Sequence, residues 1–487
     1  MALINVQDLT FYYEGSDDLI FDRVSFQIDT DWKLGFIGRN GRGKTTFLKL
    51  LLGKYEYRGT ISSGEVFDYF PYPVNDKTRN TIDIIEDTDP MYELWKICRE
   101  LNLLEVDPDI LYRPFDTLSN GEQTKTLLAV LFARQNHFLL IDEPTNHLDM
   151  ESRVKLMEYL NQKKGFILVS HDRAFLDGCI DHVLSINKNN ITVTKGNFTT
   201  WWEDKERSVR FELEQNERLK KDIRKLEKGS RTAGEWAGKV EKSKRGAADK
   251  GYVGHKAAKM MKRSKILEHR ADQALEEKSS LLKNVETVDD LKLCPLKLHK
   301  DILIRMEDIQ IFSDNSKPVL DNFHMEVKNG ERVALQGRNG CGKSSILKMI
   351  MGMNTDFQGQ MELASGIIIS YVPQDTSGIS GTLHEFSESN GLDETIFLTV
   401  LRKLGFERTQ FEKQIGDFSE GQKKKVLIAK SLSQQAHLYI WDEPLNYIDV
   451  FSRMQIEQLI LEFVPTMLIV EHDSRFIEHV ATKVIRL

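Results

Sequence analysis

The chain has 487 residues, of which 40% are hydrophobic and 29% charged, with a net charge of −7; that is too long for one core and suits two domains of about 200 residues with a connector. The composition is that of a soluble globular protein, and no run approaches the ~18 apolar residues of a membrane span. The opening MALINVQDLTFYYEG lacks the build of a signal peptide, and Cys98, Cys179, Cys294 and Cys341 form no CxxC pair. A cytoplasmic protein with reduced thiols and no membrane domain is expected.

Residues 1–203 read as an α/β domain. LINVQDLTFYY is strand-like and runs into Tyr13. The apolar strand KLGFIG then meets the turn GRNGRGKT, Gly38 to Thr45, followed by the helical stretch TFLKLLLG. This is the GxxxxGK[ST] pattern. Backbone N–H groups around Gly38, Asn40, Gly41 and Gly43 close on phosphates, Lys44 reaches the β/γ-phosphates, and Thr45, beside Thr46, ligates Mg²⁺. Next, HFLLIDEP is an apolar strand ending in acids; it sets Asp142 near the metal and Glu143 where it can polarise the attacking water. FILVSHD follows the same plan and offers His171 as a γ-phosphate contact.

Residues 204–290 belong to neither neighbour. DKERSVRFELEQNERLKKDIRKLEK and HKAAKMMKRSKILEHRADQALEEKSSLLKN space apolar residues by three and four, as a coiled-coil seam does. The glycines between them predict an α-helical hairpin. From Lys228 to Ser264 eleven lysines and arginines face three acids, whereas the whole chain is acidic. A basic finger interleaved with aromatics favours a nucleic-acid partner. The candidate tip contacts are Trp236, Lys239, Lys244 and Tyr252.

Residues 291–487 repeat the first plan. ILIRMEDIQIF is strand-like, and RVALQG leads into GRNGCGKS and then SILKMIMG. Gly337, Asn339, Gly340, Gly342, Lys343, Ser344 and Ser345 thus mirror the first turn, with Ser344 the metal ligand. SYVPQD supplies Gln374 for the metal or the water, but the matching DYFPYP has Tyr72, which carries no carboxamide. HLYIWDEP gives Asp442 and Glu443, and MLIVEHD gives His472. Lys44 and Lys343 are offset by 299, Asp142 and Asp442 by 300, His171 and His472 by 301. That register is an internal duplication.

LSNGEQTK and FSEGQKKK resemble the signature motif of the ATP-binding cassette (ABC) superfamily, and TNHLD and LNYID resemble its D-loop. The resemblance implies two tandem ABC-type P-loop ATPase domains joined by the hairpin, with ATP and Mg²⁺ as cofactors. It further implies cassettes of one monomer closing head to tail. Lys44 would then share a nucleotide with Ser419 and Gly421, and Lys343 with Ser119 and Gly121. In the first half Tyr13 fits the aromatic that stacks on adenine; the second half offers Phe312.

Tandem cassettes joined by a basic helical linker are similar to the ABC-F proteins, which act on ribosomes. In that group the linker enters the tRNA exit site and approaches the peptidyl-transferase centre, which implies large-subunit rRNA and tRNA as partners. DKGYVGHKAAKMMKRSK, residues 249–265, is similar to the linker of the branch that protects against lincosamides, streptogramin A and pleuromutilins. The resemblance thus implies a ribosome-protecting ATPase that affects the drug indirectly. A housekeeping translation factor of the same group is the alternative; the motor of a membrane transporter is a third reading, and it gives no reason for a basic hairpin. Lys44 to Ser119 spans 75 residues and Lys343 to Ser419 spans 76, so the first cassette has no room for the arm of some housekeeping relatives.

Overall fold

The computed structural model describes residues 2–13, 19–134, 137–146, 148–187, 190–218, 221, 259, 262, 295–312, 318–353, 357–406 and 408–487. The chain forms two compact units, Met1–Trp201 with Asp290–Leu487, and Trp202–Asp289. In the second unit residues 202–218 are helical. The predicted hairpin turn, with Trp236, Lys239, Lys244 and Tyr252, lies outside the described residues.

The first unit carries the duplicated α/β plan, and in each half two kinds of strand make two kinds of sheet. Strands with alternating apolar residues form a three-stranded antiparallel sheet. In β1 (Leu3–Phe11) Ile4, Val6, Leu9 and Phe11 are buried; it lies between β2 (Phe21–Asp29) and β4 (Arg58–Ser62). Near-continuous apolar strands are covered on both faces and pair in parallel. The order is β5 (Val66–Phe70), β6 (His137–Asp142), β7 (Phe166–Val169), β3 (Lys33–Ile37), β8 (His182–Asn187), with β9 (Asn190–Lys195) antiparallel at the edge. This sheet aims the carboxyl ends of β3, β6 and β7 at one place.

The second half repeats this. β10 (Ile302–Phe312) lies between β11 (Pro318–Lys328) and β13 (Phe357–Leu363). The parallel sheet runs β14 (Ile369–Val372), β15 (Leu438–Asp442), β16 (Met467–Val470), β12 (Arg332–Gln336), β17 (Lys483–Arg486). Trp441 on β15 is fully buried, with its indole N–H donated to Ser431 Oγ at 2.9 Å.

Helices α1 (Lys44–Leu51) and α7 (Lys343–Ile350) start from Gly43 and Gly342, at φ 93° and 99°. That left-handed conformation favours glycine. Between them the chain forms α2 (Thr81–Thr88), α3 (Leu94–Leu103), α4 (Asn120–Ala133), α5 (Met150–Asn161) and α6 (Arg173–Cys179). After α7 come α8 (Leu383–Ser389), α9 (Glu394–Lys403), α10 (Glu420–Ser433), α11 (Val450–Phe463) and α12 (Ser474–Val480). Capping boxes start α4 at Ser119 with Glu122, and α10 at Ser419 with Gln422. Among the described residues no helix is long and apolar enough to cross a membrane.

Candidate active sites shared between the two halves

Each glycine-rich turn folds around its lysine. Lys44 Nζ donates to Gly38 O at 2.7 Å and Asn40 Oδ1 at 3.3 Å. Lys343 Nζ donates to Gly337 O and Arg338 O, both at 2.8 Å. Burial pushes the Lys44 ammonium down, opposed by Asp449, Glu143 and Asp142. Thr45 Oγ1 donates to Asp142 Oδ2 at 3.0 Å, and Ser344 pairs with Asp442 in the same way. Among the described residues no group of three or more His, Cys, Asp or Glu could hold a metal. A hydroxyl and a carboxylate nevertheless suit Mg²⁺, which keeps waters and takes phosphate oxygens. Asp442 Oδ1, buried without a hydrogen-bond partner, fits such an ion.

Glu143 and Glu443 follow their strands at φ 52° and 45°. Their backbone N–H groups are tied to Val169 O and Val470 O, both at 2.9 Å. Backbone strain of this kind collects at functional positions. The surroundings then diverge. Burial raises Glu443, but His472, Asn446 and Gln374 outweigh it and hold the carboxylate down at about 2; Gln374 Nε2 and Asn446 Nδ2 donate to Oε2 at 2.8 and 2.7 Å. For Glu143, burial and then Asp142 push the carboxyl up to about 8. His171 Nε2 lies 3.2 Å from Glu143 Oε1, and burial with Lys44 and Arg453 drives that imidazole to its neutral form. His472 Nε2 lies 3.7 Å from Glu443 Oε1.

Tyr72, at the position matching Gln374, turns toward Thr88, Arg134 and Asp68 and not toward Glu143. Tyr69 instead donates its hydroxyl to Asp142 Oδ2 at 2.9 Å. Tyr13 bonds Thr46 Oγ1 at 2.8 Å and packs edge-on against Phe11 and Tyr55. It therefore stands at the start of α1.

The halves meet head to tail. Asn40 Nδ2 donates to Tyr447 O at 2.8 Å, 407 positions away. A Cβ on Gly421 would lie 2.4 Å from that carbonyl and 3.1 Å from Asn40 Nδ2, so the approach needs glycine. Asp449 faces Lys44 and His171, while Asp149 accepts a hydrogen bond from the Asn339 backbone. From the second turn Arg338 pairs with Glu151 at 3.0 Å; away from the turns Arg475 pairs with Asp177 at 2.6 Å, and Arg173 with Glu457 in a buried contact.

The second composite site is a cleft of about 670 Å³. Asn339, Gly340, Gly342, Lys343, Ser344 and Ser345 line it, with Gln374, Glu443 and His472. Phe312 lies in its wall. From the first half come Asn120, Leu148 and Arg153. Ser119 itself caps α4, accepting from Glu122 N at 3.2 Å, and Ser419 caps α10 likewise. Sequence reasoning missed Asn446 and the arginines Arg153 and Arg453. Arg453 donates to Ile448 O, Leu445 O and Asp473 Oδ2, each at 2.9 Å, and faces Glu143 across the contact. The Ser-Arg pair three and four residues after each D-loop aspartate, offset by 300, was the available signal.

Comparison with known proteins agrees with this geometry. Residues 21–146 and 320–446 match the family described as ABC transporter. The chain is 26% identical to ATP-binding protein Uup of Buchnera aphidicola subsp. Acyrthosiphon pisum over 99% of its own length and 80% of that protein. It is 27% identical to ribosome protection protein VmlR of Bacillus subtilis, covering 96% and 83%. With the energy-dependent translational throttle protein EttA of Haemophilus influenzae the identity is 25%, covering 96% and 88%. Among solved structures, an archaeal ribosome recycling factor, aABCE1, in complex with a ribosomal stalk protein, superimposes with TM-score 0.65 at 20% identity over 98% of this chain and 87% of that one. Two family matches, two P-loops and a cleft lined by both halves lead to one conclusion: the chain belongs to the ATP-binding cassette family described as ABC transporter, and it is an ATP hydrolase.

Proposed function

We propose that the chain is a cytoplasmic, ribosome-bound ATPase of the ABC-F group that protects translation from antibiotics acting at the peptidyl-transferase centre. The observation that carries this reading is the closure of both cassettes of one chain on each other. The catalytic surfaces are used up internally, and the basic segment 204–290 is left to meet an outside partner. Its charge suits the phosphates of rRNA and tRNA, and VmlR is named a ribosome protection protein. The similarity to EttA favours a second reading, a housekeeping factor acting on ribosome-bound tRNA.

In this mechanism Lys44 and Lys343 hold the β/γ-phosphates, and Thr45 with Asp142, and Ser344 with Asp442 and Gln374, would hold Mg²⁺. Mg²⁺ would neutralise the phosphate charge that builds as the bond to the leaving group breaks. Glu143 and Glu443 polarise water, and His171 and His472 orient the γ-phosphate. ATP keeps the cassettes closed on the ribosome, and hydrolysis releases them.

The double variant Glu143→Gln, Glu443→Gln should bind ATP, lose turnover and pellet with ribosomes. Unbound protein with unchanged turnover would overturn the assignment. A susceptibility panel with lincosamides, streptogramin A and pleuromutilins in a sensitive host separates the two readings, since a housekeeping factor changes none of them. At the linker, Tyr252→Ala should keep ATPase activity and lose much of the protection, because a base–aromatic stack is worth about 1–3 kcal/mol. Full protection without Tyr252 would remove it from the mechanism.

A further inference from the structure

The first turns of α10 serve two sites at once. Gly421, two residues after Ser419, lies against Asn40 of the Lys44 turn. One helical turn on, Lys424 points the other way into the second half. It is almost fully buried, and its Nζ donates to Pro373 O at 2.8 Å, Gln374 O at 3.0 Å and Asp442 O at 3.4 Å. Three N–H donors thus meet three carbonyls, two on the loop that carries Gln374 and one at the end of β15. Glu471, Asp442, Glu443 and Asp375 face the ammonium. Beside it Glu420, the residue between Ser419 and Gly421, accepts a hydrogen bond from Thr376 Oγ1 on that same loop. Gln374, between the two fastenings, donates to Glu443 Oε2 at 2.8 Å.

Among the described residues the first half shows no such fastening. At the matching positions stand Thr124 for Lys424, Asn120 for Glu420, Ser170 for Glu471 and Tyr72 for Gln374. There Ser170 Oγ bonds Thr145 Oγ1 at 3.2 Å, and Thr124 brings no ammonium to the position of Lys424. With four differences around one loop, the fastening is seen, among the described residues, in the second half.

We propose that Lys424 and the Glu420–Thr376 contact strap the Gln374 loop to α10, so that seating of Ser419 and Gly421 on nucleotide at the Lys44 site sets Gln374 against Glu443 at the Lys343 site. The coupling runs from the first site to the second, and Lys424 is its positioning residue. The inference rests on the reading that Glu443 polarises water at the second site.

The test measures steady-state ATP hydrolysis by the full chain in the Glu143→Gln background, where turnover comes from the Lys343 site, with the melting temperature of every variant. Lys424→Thr, which copies the first half, should lower kcat about tenfold and leave KM for ATP within about twofold, as loss of an interaction made in the transition state does. Thr376→Val should lower kcat about threefold, and Thr376→Ser should restore it, a rescue that a merely structural role does not give. Lys44→Ala should slow the second site in the strapped protein but add less than about twofold to Lys424→Thr, because the two act through one connection. Effects that multiply, or a rise in KM without loss of kcat, overturn the strap. If Lys424→Thr does not fold, Thr376→Val and its serine rescue decide alone. Unchanged turnover in Glu443→Gln defeats the reading of Glu443 and the strap with it; a large loss there with no effect of Lys424→Thr or Thr376→Val defeats the strap only.

Discussion

The two composite sites share a plan and differ in what surrounds the glutamate. At the second site Glu443 receives two amide donors and stays charged. At the first, the amide position of Gln374 is taken by Tyr72, which points elsewhere, and burial beside Asp142 keeps a proton on Glu143 near neutral pH. The strand ends, the strained backbone and the histidine are the same in both. The scaffold is thus the same in both copies, and a few side chains set how firmly each glutamate holds its proton.

The sharpest way to break this comparison is to remove one glutamate at a time. Glu443→Gln should lower turnover on the order of a hundredfold, the scale of a lost general base, whereas Glu143→Gln should lower it by about twofold. Equal losses in the two single variants would show that the sites are equivalent. A step smaller, exchanging the loop residues should move the sites toward each other. Gln374→Tyr should cost about tenfold in kcat, and Tyr72→Gln in the Glu443→Gln background should raise the residual rate about threefold. No gain from Tyr72→Gln would mean that the loop in the first half cannot deliver its side chain.

The smallest effect is on pH. A carboxyl held up at about 8 must lose its proton before it can act as a base. The residual rate of Glu443→Gln should therefore climb about threefold from pH 7.5 to 8.5. The Glu143→Gln variant relies on a group held at about 2 and should be flat over that window. Parallel pH–rate curves would contradict the difference in the two surroundings.

The elements that sequence reasoning found are those whose signal is local. A glycine-rich turn between an apolar strand and a helix, or an acid pair at a strand end, is written in consecutive residues, so Lys44, Asp142, Glu143 and their copies were legible. Gln374 and the odd Tyr72 were legible for the same reason. Arg453 was not, because its importance lies in facing Glu143, 310 positions away in the chain. Asn40 was read as a phosphate-loop residue, and its bond to Tyr447 depends on docking that no local pattern encodes. Lys424 looked like one more cation in FSEGQKKK; only its burial against three carbonyls separates it from Lys423, which pairs with Glu420 near the surface.

Because both cassettes are parts of one chain, closing the Asn40–Tyr447 and Arg173–Glu457 contacts is a unimolecular event. A tether of this kind gives the partner surface an effective concentration that does not depend on how dilute the protein is. Dilution to the nanomolar range leaves assembly untouched, and a single copy of the protein carries a complete pair of sites. Cooperativity in ATP is then bounded by two and independent of protein concentration, in contrast to a motor that must first find its second half in solution.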